Sequence, residues 1–278
     1  MAWRNSATQS WTTPNESRET DSVILLEPTS TPYDLRWRMF GIPVRVHPMF
    51  WLMAVILGWD FMKVPSELGG GFPLLSLWVI CVFVSILIHE LGHVFMGQAF
   101  GSYGYVVLYG CGGLAVGSNQ LIHRGQRIAV SFAGPLAQFL LLGVVVLTEK
   151  WFLSTRPEEP TPLWTAGLWS LIFLRDINLY WPILNLLPIW PLDGGQISRE
   201  LFDWKSAYGK GLTRSLIVST ATAGSLALYS FISYNRKEPL LDFLPIGTGS
   251  LFSTLMFALL AIQSYQMLGQ LPPRQRRW

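Results

Sequence analysis

The stretch Phe72-Pro-Leu-Leu-Ser-Leu-Trp-Val-Ile-Cys-Val-Phe-Val-Ser-Ile-Leu-Ile-His-Glu-Leu-Gly-His93 decides how this chain reads. Residues 72–88 are uncharged and mostly apolar, and they run directly into His89-Glu90-Leu-Gly-His93. A membrane-spanning helix needs about 20 predominantly apolar residues, so the run predicts a transmembrane segment with the His-Glu pair toward its end. Two imidazoles at i and i+4 share one helical face, where they can grip one metal ion beside a carboxylate suited to handling protons. An ionisable group near the bilayer centre costs roughly 2.5–3.5 kcal/mol on insertion scales. Metal coordination is the simplest reason to keep three of them there.

Composition agrees with a membrane setting. Of 278 residues half are hydrophobic and 13% charged, and thirteen Trp with nine Tyr suit a chain with many interfacial anchors. The net charge of +3 is too small to argue for nucleic acid, so no nucleic-acid partner is expected. The two cysteines, Cys81 and Cys111, exclude thiolate metal clusters and argue against a disulfide framework. The N-terminus has no basic region followed by an apolar core, so no cleavable signal is expected.

Working outward, six apolar segments occupy about 48–61, 72–94, 128–148, 163–192, 215–234 and 243–271. The expected fold is an all-α integral membrane protein with about six transmembrane helices, preceded by a flexible cytoplasmic tail over 1–45 and closed by a short basic tail over 272–278. With the N-terminus cytoplasmic, Lys and Arg divide fourteen to five in favour of the cytoplasmic side, Arg175 lying within a segment. That bias places both termini inside, most simply at the cell's inner membrane, with His89 and His93 toward the cytoplasmic face. Arg175 and Asp176 interrupt the fourth segment; neighbours at i and i+1 do not face each other on a helix, so no mutual salt bridge is expected. Between segments two and three, Gly101-Ser-Tyr-Gly-Tyr-Val-Val-Leu-Tyr-Gly110 reads as a short membrane-associated strand or hairpin, with an ordinary cytoplasmic loop as the alternative. Gly247-Thr-Gly-Ser250 has no histidine to serve it as a nucleophile turn and is rejected as one.

A catalytic zinc site takes three protein ligands and leaves a fourth position open. His47, beside Pro48, and His123, in a basic loop, are poor completions. Asp193 is better placed, in Asn185-Leu-Leu-Pro-Ile-Trp-Pro-Leu-Asp-Gly-Gly195 at the cytoplasmic end of segment four. Prolines interrupt the helical ladder and glycines permit unusual backbone angles, so the chain can turn and aim a carboxylate inward. A helix-terminating turn with Asp193 facing water is the other reading.

These motifs together resemble a known family. His89-Glu-Leu-Gly-His93 on a membrane segment, followed by Asn185-Leu-Leu-Pro188 and Pro191-Leu-Asp-Gly-Gly195, is similar to the paired signatures of the site-2 proteases, which are intramembrane zinc metalloproteases. Ser131-Phe-Ala-Gly-Pro-Leu-Ala-Gln138 resembles that family's third core segment, and the likeness covers residues 72–195, a three-helix catalytic core within a membrane protease domain over 46–271. The resemblance implies one zinc per chain held by His89, His93 and Asp193, Glu90 as general base, and Asn185 as a polar group near the reacting carbonyl. Gln138 stands where the family often has Asn, a change expected to leave the metal site untouched.

The expected activity is hydrolysis within or near a transmembrane helix of a single-pass or helical-hairpin substrate, in the lipid bilayer, with a regulatory membrane partner as a further expectation. Such a helix must unwind first, and an exposed strand at Val106, Val107 and Leu108 is expected to hold it by strand addition. The competing readings are a catalytically silent scaffold that binds transmembrane partners and a metal transporter. The intact Glu90 argues against the first, and ligands confined to one cytoplasmic-side cluster argue against the second.

Overall fold

The computed structural model describes residues 27–65, 69–110, 112–204, 210–238 and 250–271. The tail expected over 272–278, Cys111 and most of the Gly247–Ser250 stretch lie outside them; within the last, Ser250 caps a helix. The protein is mostly helical and carries one small sheet. In chain order come strands β1 (Leu35–Met39) and β2 (Ile42–Val46), helices α1 (Pro48–Leu57) and α2 (Phe72–Ala99), and strands β3 (Tyr105–Tyr109) and β4 (Gly112–Val116). Helices α3 (Arg124–Ser154), α4 (Pro162–Asn185), α5 (Asp193–Trp204), α6 (Lys210–Arg236) and α7 (Leu251–Gln270) follow.

Among the described residues, α2, α3, α6 and α7 are long and apolar enough to cross a membrane. This is an integral membrane protein. The first apolar segment departs from expectation: it is a ten-residue helix, α1, followed after Gly58 by a 3₁₀ turn over Trp59–Lys63. At 1.5 Å per residue α1 reaches about 15 Å, half of the ~30 Å hydrocarbon core. α4 is 24 residues long, but Arg175 and Asp176 interrupt its apolar character. The Arg175 guanidinium bonds Glu149 of α3 at 2.7 Å and also reaches the Asp176 carboxylate at 3.1 Å. That second contact corrects the expectation that the two would not pair, because the long Arg side chain folds back over its neighbour.

The sheet is larger than a hairpin. Its order is β1-β2-β3-β4, with β1–β2 and β3–β4 antiparallel and β2–β3 parallel. Residues 35–45, expected in a flexible tail, form with Val46 the first two strands and their turn, and the boundary drawn at residue 45 is corrected accordingly. Phe40 and Gly41 between them both have positive φ, 52° and 78°, the requirement of a tight type I′ hairpin turn. Side chains alternate across a strand. Ile42, Val44 and Val46 of β2, with Val106 and Leu108 of β3, therefore pack on Ile86, Leu87, Leu91 and Val94 of α2 in one buried cluster. Arg45 points the other way and is held by Glu27 at 2.7 Å, Asp34 at 3.4 Å and the Pro28 carbonyl at 2.9 Å.

On the other side of α2, Leu74 and Cys81 pack against Phe173 and Ile177 of α4. The segment between α4 and α5 is seated on the last two helices, where Ile189, Ala223 and Phe257 form a third cluster. The sheet thus packs on the C-terminal half of α2 and α4 on its N-terminal half.

Ile42 is completely buried between sheet and helix. Ile42→Ala should destabilise the protein by about 2–5 kcal/mol, the usual range for truncating a buried aliphatic side chain. Thermal unfolding in detergent checks this, with Leu52→Ala, half exposed on α1, expected to leave the midpoint in place.

Candidate metal centre

α2 brings His89, Glu90 and His93 into the protein interior, all three buried. Asp193, the first residue of α5, comes to meet them. His89 Nε2 lies 3.1 Å from Asp193 Oδ2, His93 Nε2 lies 3.4 Å from Asp193 Oδ1, and the two Nε2 atoms are 3.1 Å apart. The far nitrogens of both rings are already engaged. His89 Nδ1 is 2.9 Å from Gln138 Oε1, and His93 Nδ1 is 2.6 Å from the Val130 carbonyl oxygen. Both of those partners accept, so each ring donates from Nδ1 and turns an Nε2 lone pair inward.

Two imidazole lone pairs and a carboxylate then face one another with no donor between them. That donor set suits a divalent cation. Ligands about 2.0–2.1 Å from a tetrahedral zinc stand roughly 3.3 Å apart, close to the separations found here. Among the described residues, His89, His93 and Asp193 are the group of side chains able to hold such an ion. The residues fit zinc.

The surroundings explain how the cluster is held. Gly134 of α3 lies flat against His93: a Cβ there would stand 2.3 Å from His93 Nε2. Gly113 of β4 lies equally close over Glu90, where a Cβ would come within 2.4 Å of Glu90 Cγ. The carboxylate is therefore roofed by backbone. Gln138 Nε2 donates to the Ser85 carbonyl at 3.3 Å, and Asn178 Nδ2 of α4 donates to Ser85 Oγ at 2.9 Å. This polar chain ties α3, α2 and α4 together one turn from His89. Gln138 is thus a hydrogen-bonding residue of the helical interior, and its amide oxygen contacts His89 directly.

The non-helical run leading to Asp193 is pinned by α6 and α7. Trp190 N–H donates to Ser219 Oγ at 2.8 Å, and the Ser219 hydroxyl donates to the Pro188 carbonyl at 3.1 Å. Ser198 and Ser215 hydroxyls both reach the Gly195 carbonyl, at 2.8 and 3.1 Å, and Ser264 Oγ donates to the Trp190 carbonyl at 3.3 Å. Irregular backbone at membrane depth needs its polar groups satisfied within the protein, and these serines do it. Polar residues in otherwise apolar helices were the signal for Ser85, Asn178 and Ser219; nothing in the sequence marks Gly113 as the cover of Glu90.

The remaining expected residues fall as follows. Asn185, the last residue of α4, is buried and donates to the Trp181 carbonyl at 3.1 Å. His47 and His123 stand outside the centre: His47 caps α1, accepting from Met49 N–H at 3.1 Å, and His123 precedes α3. Val106, Val107 and Leu108 are completely buried in β3, whose two edges are taken by β2 and β4. They cannot receive an added strand, because their backbone is already paired on both sides. The outer strands are β1 and β4, and β4 is the one whose Gly113 lies over Glu90.

The helical core thus gathers the His-Glu-X-X-His pair of α2 and Asp193 of α5 into one candidate metal centre. No family model matches the chain. It is 28% identical over 206 residues to a zinc metalloprotease of Methanocaldococcus jannaschii, covering 73% of this chain and 56% of that protein. It is 29% identical over 182 residues to the stage IV sporulation protein FB of Bacillus subtilis, covering 63% and 53%. Among solved structures it resembles the site-2 protease from Methanocaldococcus jannaschii, with a TM-score of 0.52 and 22% identity over 84% of this chain and 94% of that one. The chain is thus similar in sequence to zinc metalloproteases and in fold to a site-2 protease. It spans about half the length of the curated relatives it matches.

Outer partners that orient a metal-ligating histidine are typically worth about 10- to 100-fold in metal affinity. Gln138→Leu should weaken zinc binding by that factor in a competition titration against a chromophoric chelator, with helical content unchanged. Gly134→Ala, which drives a methyl group into His93, should lower bound zinc further.

Proposed function

We propose that this chain is an intramembrane zinc metalloendopeptidase that hydrolyses a peptide bond within or near a transmembrane helix of another membrane protein. The observation that carries the reading is Glu90, buried beside a complete His89–His93–Asp193 ligand set on a helix fit to cross the membrane, with a strand directly above it. Zinc held by those three residues would supply a Lewis acid for the scissile carbonyl and would make a neighbouring water acidic near neutral pH.

The chain's own residues do the rest. Glu90 takes the proton from the attacking water and returns it to the departing amide nitrogen. Asn185 has two N–H donors and spends one on the Trp181 carbonyl, leaving one for the oxygen that gains charge. The site's dry walls strengthen both interactions. A substrate helix must release its own hydrogen bonds before attack, and the outer edge of β4 offers the freed backbone new partners. Gly112 and Gly113 make that edge approachable.

The Lys and Arg asymmetry supports both termini in the cytoplasm of an inner-membrane protein, with release of product toward the cytoplasm. A single-pass or helical-hairpin membrane protein is the substrate class, and a membrane partner is the natural source of regulation. A silent scaffold would have no use for a carboxylate roofed at 90 beside an intact ligand set.

Glu90→Gln separates the readings. Reconstituted in liposomes with a single-pass helical substrate, the variant should keep about one zinc per chain and lose cleavage by roughly 10²–10⁴-fold, the usual contribution of a positioned acid–base group. Wild-type turnover in that variant, read by mass spectrometry of the fragments, would sink the proposal.

A further inference from the structure

An apolar cavity of about 310 Å³ opens between α1, α2, the β3–β4 turn and α4. Phe50 and Ala54 of α1, Trp78 and Ile86 of α2, Gly112 of β4 and Trp181 of α4 line it, with Asp176 of α4 as the charged residue on its wall. It is separate from the metal centre but registered to it on three walls. Ile86 is four residues before Glu90 on α2, and Trp181 is four before Asn185 on α4, so each pair shares a helical face. Gly112 precedes Gly113, the residue lying on the Glu90 side chain. The nearest wall residues, Ile86 and Trp181, thus sit about 6 Å along their helices from Glu90 and Asn185, while Trp78, three turns before Glu90, forms the far end about 18 Å away. An extended chain advances about 3.3 Å per residue, so the nearer offset equals roughly two residues of an unwound substrate.

The local chemistry suits a single occupant. Gly112 has no side chain, and the Trp181 ring lies only 3.5 Å from where its Cβ would stand, so any larger residue there would take up cavity space. The Trp78 indole N–H is spent on the Ala54 carbonyl at 3.0 Å, which turns an apolar ring face inward and fixes the outer wall. The cavity is at the small end of ligand pockets, which run about 300–1,000 Å³.

We propose that this cavity is a specificity pocket that receives one large aliphatic or aromatic side chain of the substrate, about two residues from the scissile bond. The inference rests on the protease reading above and adds to it the residue preference of the same site. The substrate strand lies along β4, its apolar side chain drops past Gly112 between Trp78 and Trp181, and its carbonyl comes to rest over Glu90. Filling the pocket anchors the unwound segment and fixes which peptide bond is presented.

The test uses the full chain in liposomes, with zinc content measured for every variant. A single-pass substrate is prepared with each of three positions on either side of the cut set in turn to Ala, Leu, Phe or Trp. At one position the wild type should prefer Leu or Phe over Ala by roughly 10-fold or more in kcat/KM, the range that apolar pocket contacts give. Ala54→Phe, which fills the pocket from the α1 side, should bring that ratio toward unity. Ile86→Ala, which enlarges it, should shift the preference toward Trp. The opposite signs distinguish pocket shape from general damage, and retained zinc confirms an intact centre. Cleavage without preference at any position, or a ratio unmoved in both zinc-loaded variants, overturns the pocket alone. Equal loss across all four substrates would assign the cavity to a lipid chain and overturns it too. A wild type that cuts nothing overturns the protease reading and this inference with it.

Discussion

The convergence of His89, His93 and Asp193 on one point suited to a metal ion is the constraint that the rest of the structure is organised to maintain. His89 and His93 gain their positions from helical spacing alone. Their orientation comes from elsewhere, because an imidazole presents Nε2 inward only while its Nδ1 proton has an acceptor. α3 provides both acceptors, the Gln138 side chain and the Val130 carbonyl, and its Gly134 lets the helix come close enough to do so. The third ligand arrives from a hundred residues further on. Asp193 starts a helix after an irregular run, and that run stays irregular because serines of α6 and α7 replace the hydrogen bonds it lacks. The two helices farthest from the motif in sequence therefore act on the metal centre through the backbone.

The metal ligands were legible in the sequence because chelation constrains both residue type and spacing. His-Glu-X-X-His needs one helical face, and an acidic residue between proline and glycine at the matching membrane depth needs a turn; both leave a mark in one dimension. The long apolar helices were legible for the same reason. The sheet was less so. Residues 35–45 alternate Arg with Trp, Met and Val, and a reading weighted toward charge assigns them to a tail, whereas Phe40-Gly41 is the hairpin turn and Arg45 is neutralised by Glu27 and Asp34. Val106 to Leu108 were recognised as a strand, but their place within the sheet depended on β2, whose pairing is set by tertiary contact rather than local pattern. The contact between Gln138 and His89 was not legible, because one substitution of amide length says nothing about what the amide touches.

α1 shows how length alone can mislead. Its apolar composition reads as a span, yet ten residues followed by Gly58 and a 3₁₀ turn give a short wall leaning on α2 and β3. A full span would be locked in place by the bilayer on both sides. A short one is held chiefly by Phe50 and by the Trp78 indole, which leaves the face of α2 beyond Glu90 lined by a cavity rather than by packed side chains.

An open sheet edge is ordinarily a liability, and soluble proteins blunt such edges with charge, proline or a covering loop. β4 has none of these. Its sequence, Gly-Gly-Leu-Ala-Val, is instead thinned at the end nearest Glu90. Gly113 is required there because a side chain would collide with the carboxylate, and Gly112 leaves room under Trp181. Glycine weakens a strand, so the ladder to β3 must be held by the rest of the sheet, which is why β3 is interior and completely buried while β4 is only half-buried. The buried strand supplies rigidity and the edge strand supplies contact. Gly113, which brings the β4 backbone against Glu90, therefore sets how closely anything paired along that strand approaches the carboxylate.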